Sequence, residues 1–319
     1  MGTHRGFIFS VLSLQFSVLW TERLWTLRAD PGCLIGRKKV TSSDCTESVR
    51  LGNLRADPQL SKFQPLERIL LYDHFDYGLS GWTEVLGDYE GRLENVTQYP
   101  ELMDSRPPML STATMHDSGS AGAFSGTYSM KVATRPKENH VAKALRRLTF
   151  RQKSHLQCEL YFTFKPEASE IMLSELDLRA FGVSYDLQDD RRREWPAVRF
   201  LNAQGRSRIE RWQYHAGGTR APHLDGWNEV PKGHQELCYN ETATKQNWHY
   251  LRWLIDLPGS RYLELQCNDR SWDLSGSSIP SVAKNPNLRT LLNLGFFVEA
   301  NADKRCFLYI DSVLLSSGG

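Results

Sequence analysis

The chain has 319 residues, 40% of them hydrophobic and 11% aromatic, which is ample material for a core, and its formal net charge is +2. That near-balance leaves no electrostatic footprint for nucleic acid and no polybasic run for an anionic membrane. A glycan or another polyol remains open as a partner.

In chain order the first feature is the apolar stretch from Gly6 to Trp20, the length of a signal-peptide core and too short for a transmembrane segment. No small-residue cleavage pattern follows it, and Thr21-Glu22-Arg23-Leu24-Trp25 continues as a charged amphipathic segment. Localisation therefore stays open between secreted and cytoplasmic. Leu27-Arg28-Ala29-Asp30-Pro31 returns as Leu54-Arg55-Ala56-Asp57-Pro58, an identity too short for a structural repeat. These observations divide the chain into an N-terminal extension over 1–53, signal-like or non-native, and a β domain over 54–317.

From residue 69 onward, short alternating runs are separated by Gly, Pro, Asn, Asp and Ser, a rhythm that predicts an all-β sandwich. The runs place strands over 69–75, 83–86, 90–94, 128–134, 143–150, 155–165 and 179–187. Further strands are predicted over 196–202, 207–214, 248–256, 261–267, 291–299 and 306–316. The polar stretches 95–122 and 215–246 are the expected loops. Sequons at Asn95-Val96-Thr97 and Asn240-Glu241-Thr242 matter only in an exported chain.

Six cysteines occur without a CxxC pair or a Cys/His cluster at zinc spacing, which argues against a thiolate metal site. Cys158, Cys267 and Cys306 lie in or beside apolar runs and are predicted to be buried thiols, with one or two disulfides among the six cysteines as the alternative in an oxidising compartment. No G-x-S-x-G elbow, P-loop, dinucleotide glycine fingerprint or HExxH is present.

Period-two alternation assigns two faces to three runs. Leu156, Cys158, Leu160, Phe162 and Phe164 oppose Gln157, Glu159, Tyr161 and Thr163. Leu251, Trp253 and Ile255 oppose Trp248, Tyr250, Arg252 and Asp256. Leu292, Leu294, Phe296 and Val298 oppose Asn293, Gly295, Phe297 and Glu299. The rows opposite the apolar ones combine rings, amides, guanidinium groups and carboxylates, the chemistry that stacks on a pyranose and binds its hydroxyls.

Three separated segments carry a family resemblance: Phe75-Asp76-Tyr77-Gly78-Leu79-Ser80-Gly81-Trp82, Ser125-Gly126-Thr127-Tyr128-Ser129-Met130-Lys131-Val132, and Tyr309-Ile310-Asp311-Ser312-Val313-Leu314-Leu315. Their order resembles the jelly-roll carbohydrate-binding modules of the galactose-binding-like superfamily. Residues 54–317 also resemble an uncharacterised family of jelly-roll proteins of bacteria and fungi, through Arg147-Leu148-Thr149-Phe150, the segment from Asn240 to Arg252, and Leu265-Gln266-Cys267-Asn268-Asp269. The resemblance implies an all-β jelly-roll β-sandwich, galactose-binding-like or concanavalin A-like, in one domain with long loops. It also implies a structural calcium, which by position falls on Asp76 and Asp311.

The expected function is carbohydrate binding on a face lined by Trp248, Tyr250, Arg252, Glu159, Glu264 and Gln266, joined by Arg199 and Trp212. Trp195 and Trp227 are further ligand candidates because each adjoins polar residues, whereas Trp82 and Trp253 belong to packing. His249 reads as a hydrogen-bonded, partly buried side chain. The enzymatic alternative is a glycoside hydrolase or lyase using two of Glu159, Glu264 and Glu299, which requires carboxyl groups about 5–9.5 Å apart. A structural or protein-interaction sandwich without a small ligand is the third reading.

Overall fold

The computed structural model describes residues 50, 52–84, 103–104, 108–111, 122–149, 154–166, 175–217, 225–238, 247–284, 286 and 288–318. Most of the extension over 1–53, the strand expected at 90–94 and both sequons lie outside the described residues. In chain order the strands begin β1 (Arg68–Asp73), β2 (Trp82–Glu84), β3 (Met103–Asp104), β4 (Met109–Ser111), β5 (Ser129–Ala133) and β6 (Val141–Leu148). Then come β7 (His155–Pro166), β8 (Leu178–Gln188), β9 (Arg193–Glu194), β10 (Ala197–Gln204), β11 (Ser207–His215) and β12 (Trp227–His234). The series closes with β13 (His249–Asp256), β14 (Arg261–Cys267), β15 (Arg270–Asp273), β16 (Ser281–Val282), β17 (Leu291–Ala300) and β18 (Cys306–Gly318).

They form two sheets. The eight-stranded sheet runs β15-β14-β13-β7-β18-β5-β4, with β1 also paired to β18. The ten-stranded sheet runs β12-β11-β10-β8-β17-β6-β2, with β9 on β8, β16 on β9 and β3 on β6. Every pairing is antiparallel except that of β3 with β6. The fold is thus an all-β sandwich of the jelly-roll class. The C-terminal strand β18 sits inside its sheet and not at an edge, which explains its run of apolar residues on both faces.

The inward rows are the ones that alternation predicts. Leu156, Cys158, Leu160, Phe162 and Phe164 of β7 meet Phe181, Val183 and Tyr185 of β8, with Leu292, Leu294, Phe296 and Val298 of β17 in the same core. Rings dominate it: Tyr185 stacks on Trp253 at 4.7 Å, Phe164 packs on Phe181 at 4.7 Å, and Trp82 stacks on Phe296 at 5.3 Å. Such pairs add about 0.5–1.5 kcal/mol each beyond area burial. Trp82 and Trp253 are core residues as expected, and Trp82 also donates its Nε1–H to Asp73 Oδ2 at 2.8 Å. Cys158 and Cys267 are buried free thiols.

Strand β12 lies inside the stretch 215–246, expected to be a loop. Pro231, Gly233 and its charged residues conceal it, yet it is an edge strand, where a missing N–H is tolerated. Only Val230 and Gly233 point inward from its middle, so its apolar signal is weak. Strands β4 and β15 were likewise too short to register.

Candidate functional site

The outer face of the eight-stranded sheet brings together most of the expected ligand residues, and a segment of the chain crosses it and engages Glu159 and Arg252. Residues 59–66 cross this face. The Gln64 N–H donates to Glu159 Oε2 at 2.8 Å, Gln157 Nε2 donates to the Gln64 carbonyl at 2.8 Å, and Arg252 Nη1 donates to Gln64 Oε1 at 3.0 Å. Phe63 packs against Tyr72 and Tyr161, and Leu66 N–H donates to Ser316 Oγ at 3.0 Å. Glu159 is fully buried and also accepts from Tyr250 Oη at 2.6 Å and Gln157 Nε2 at 2.8 Å. Burial pushes its carboxyl up, against the pull of these donors. Arg252 pairs with Glu264, and Gln266 donates to the Asn268 carbonyl at 3.0 Å. The cluster of Glu159, Tyr250, Arg252 and Gln64 is an internal clamp.

Trp248 stands at the end of that face, against Phe307 and Tyr309, and meets Phe124 edge-on with ring centroids 6.3 Å apart. His249 points into the core as the sequence suggests, its Nε2 2.6 Å from the Cys238 carbonyl, and burial lowers its pKa.

Three expected site residues lie elsewhere. Trp212 is 1% exposed in the core, ring against Phe200 and Phe181, with its Nε1–H donated to Gln235. It pairs directly with Phe200, which faces the core, so the register of β10 with β11 carries Trp212 inward. Arg199 and Glu299 do project out of the core, but from the ten-stranded sheet, on the opposite side of the sandwich from Glu159 and Glu264. The three candidate carboxylates therefore do not converge.

Asp76 and Asp311 both hold the segment that precedes β5. Asp311 Oδ2 accepts from Phe124 N at 2.7 Å and Ser125 N at 2.8 Å, and Asp76 Oδ1 accepts from Thr127 N at 2.7 Å and Tyr128 N at 3.0 Å. Ser312 Oγ donates to Asp311 Oδ1 at 3.2 Å and in turn accepts from Lys62 Nζ at 2.7 Å; His74 Nδ1 stands 3.4 Å from Asp76 Oδ2. Amide, hydroxyl and ammonium donors fill the directions that a calcium ion would need filled by oxygen, so these residues do not fit a calcium site.

The outer face of the ten-stranded sheet has a different form. Across its strands, register aligns Lys143, Phe297, Gly182, Arg199 and Gln213 in one row and Leu145, Gly295, Ser184 and Ala197 in the next. A further row begins with Asn293 beside Asp186. Beyond Leu145 at one end, the middle row carries only Gly295, Ser184 and Ala197, so it floors a shallow trough between two taller walls.

One wall is built on Trp227. The Arg199 guanidinium lies 4.3 Å over its ring, Phe297 packs at 6.2 Å and His215 meets it edge-on at 5.8 Å. Arg199 is fixed by Gln213 Oε1 at 2.8 Å and Glu299 Oε1 at 3.3 Å. The other wall centres on Asp186, which accepts two bonds from Arg193 and one from Trp195 Nε1, all at 2.8 Å, with the Arg193 guanidinium 5.1 Å over the Trp195 ring. His215 Nδ1 lies 2.8 Å from the Trp195 carbonyl and links the two walls.

The glycines make the floor. A Cβ at Gly182 would meet the Val198 carbonyl and Phe297, and one at Gly295 would stand 2.5 Å from Lys143 Cε. Lys143 thus leans across Gly295. Burial lowers its pKa to about 8, partly offset by Asp186. Burial likewise lowers the pKa of His215 and raises that of Glu299. Two polar atoms at the wall, His215 Nε2 and Trp227 Nε1, are buried with no hydrogen-bond partner among the described residues.

Sequence reasoning found Arg199, Trp195 and Trp227 and missed Lys143, Asp186, Arg193 and Gln213. The signal was the mid-strand glycines at 182 and 295, which mark a close approach over the sheet. Among the described residues no helix is long and apolar enough to cross a membrane.

Solved structures similar to this chain include lectin domains and glycan-acting enzymes. The carbohydrate recognition domain of Emp47p is 8% identical, with 81% of this chain and 100% of that chain covered and a TM-score of 0.39. The winged bean acidic lectin complexed with methyl-α-D-galactose is 10% identical, covering 67% and 94%, at 0.37. An endo-β-1,4-glucuronan lyase from the fungus Trichoderma reesei is 10% identical, covering 78% and 95%, at 0.41. No curated protein matches in sequence. A family profile matches residues 51–319, and the chain belongs to that family, described as Domain of unknown function (DUF6772).

Proposed function

We propose that this protein binds a glycan in the trough on the outer face of the ten-stranded sheet. The observation that carries the reading is the pair of buried nitrogens, His215 Nε2 and Trp227 Nε1, without partners among the described residues. Leaving such a group unsatisfied costs about 1–3 kcal/mol, and a sugar hydroxyl is both donor and acceptor. The rings of Trp227 and Trp195 supply apolar surface, and Gln213 and Asn293 supply planar polar groups.

Hydrolysis by a carboxylate pair is less well supported. Asp186 neighbours Asn293 on β17, and Glu299 is six residues further along that strand, so the backbone positions of Asp186 and Glu299 stand about 20 Å apart at about 3.3 Å per residue. That exceeds the spacing of either glycosidase mechanism.

Affinity electrophoresis on immobilised glycans tests the reading. Trp227→Ala should lose retention by at least tenfold while Trp248→Ala keeps it, with both variants melting cooperatively. Loss in Trp248→Ala alone would move the ligand to the other sheet, and no retention of the native protein on any glycan would end the proposal.

A further inference from the structure

Within that reading, and resting on it, the geometry points to an acidic glycan as the ligand class, with an anionic group of the sugar seated on Lys143 over Gly295. The cations of this face are not equally engaged. Arg193 is held by both oxygens of Asp186, and Arg199 by Glu299 and Gln213, with Arg179 Nε 3.8 Å from the other Glu299 oxygen. The Lys143 ammonium alone has no hydrogen bond or ion pair within 4 Å among the described residues. It interacts with Asp186 only at longer range.

Its placement is specific. A Cβ at Gly295 would stand 3.3 Å from Lys143 Nζ and 3.1 Å from Ser184 Oγ, so the ammonium and the hydroxyl converge over this glycine. Among the described residues Lys143, Arg179, Arg193 and Arg199 outnumber Asp186, Glu299 and Asp225, leaving the trough cationic. A part-buried ammonium loses hydration that a sugar hydroxyl restores only partly; a carboxylate or sulfate restores it with a charge-assisted bond. The same field would draw in an acidic polymer and weaken with salt.

The full chain is titrated with a polygalacturonate, a dextran sulfate and a neutral mixed-linkage β-glucan of matched length. The acidic probes should bind at least tenfold tighter than the neutral one, the advantage shrinking as NaCl rises from about 50 to about 500 mM. Preference between the two acidic probes tells whether a carboxylate or a sulfate is taken. Lys143→Met should erase the advantage and Lys143→Arg should keep most of it, which separates charge from folding. Equal binding of all three probes, unaffected by Lys143→Met, would overturn this inference and leave the glycan-binding proposal standing. Binding of none would remove both.

Discussion

The backbone N–H of Gln64 donates to the carboxylate of Glu159 at 2.8 Å across 95 residues of sequence, and this bond ties the segment before β1 onto the outer face of the eight-stranded sheet. Glu159 accepts from three donors in total, so it serves the fold as a polar anchor below a strap.

Removing that anchor should be costly. Glu159→Ala leaves Gln64 N–H, Tyr250 Oη and Gln157 Nε2 without their acceptor, and with one buried group costing about 1–3 kcal/mol the loss should be about 3 kcal/mol or more. Glu159→Gln keeps an acceptor for Gln64 and should cost about 1 kcal/mol. The native carboxyl titrates above its ordinary value of 4.5, so its contribution to stability is present below that pH and is lost as pH rises through the raised value. Chemical denaturation of both variants at pH 4 and pH 7 should show the gap between Glu159→Gln and wild type moving in favour of wild type on acidification.

Asp311 should behave as a backbone clasp. Asp311→Ala orphans the amides of Phe124 and Ser125 and should lower stability by about 2–4 kcal/mol, with or without calcium. Added calcium should leave the melting temperature of the native protein unchanged. A calcium-dependent rise lost in Asp311→Ala would contradict the assignment of these donors.

The two trough glycines should differ under substitution. At Gly182 a new Cβ runs into the Val198 carbonyl, which belongs to the neighbouring strand and cannot retreat, so Gly182→Ala should destabilise by several kcal/mol. At Gly295 the obstacle is the flexible end of Lys143, so Gly295→Ala should fold with near-native stability and bind glycan at least tenfold more weakly. Melting curves and affinity gels on the same two proteins check both halves.

Lys143 gives the site a pH signature. Burial lowers its ammonium to about 8, facing Asp186, with Arg179, Arg193, Arg199, Glu299 and Asp225 as further charges of the trough and His215 shifted below its ordinary 6.5. Affinity for an acidic probe should hold between about pH 7 and 8 and fall above it as the cation is lost. In the free protein, the unfolded chain keeps this proton up to 10.5, so the contribution of Lys143 to stability rises with pH between about 8 and 10.5. The stability difference between wild type and Lys143→Met isolates that term.

The alternation of β7, β13 and β17 determined by itself which residues enter the core, because strand side chains point to opposite faces every second residue. The same rule identified Arg199, Arg252, Glu159 and Glu299 as facing away from the core. It could not say which outer face each would occupy. Arg199 and Arg252 carry the same local signature, and the order of strands in the two sheets sends them to opposite sides of the sandwich.

Two further matters were left to the tertiary structure. Residues 59–66 cross the face that looked most suited to a sugar, a long-range event with no periodic trace in either partner segment. The trough on the other sheet arises where Gly295, Ser184 and Ala197 fall side by side on three strands more than ten residues apart in the chain. Strand register brings them together, and register is set by the pairing of whole strands, so no short stretch of sequence announces it.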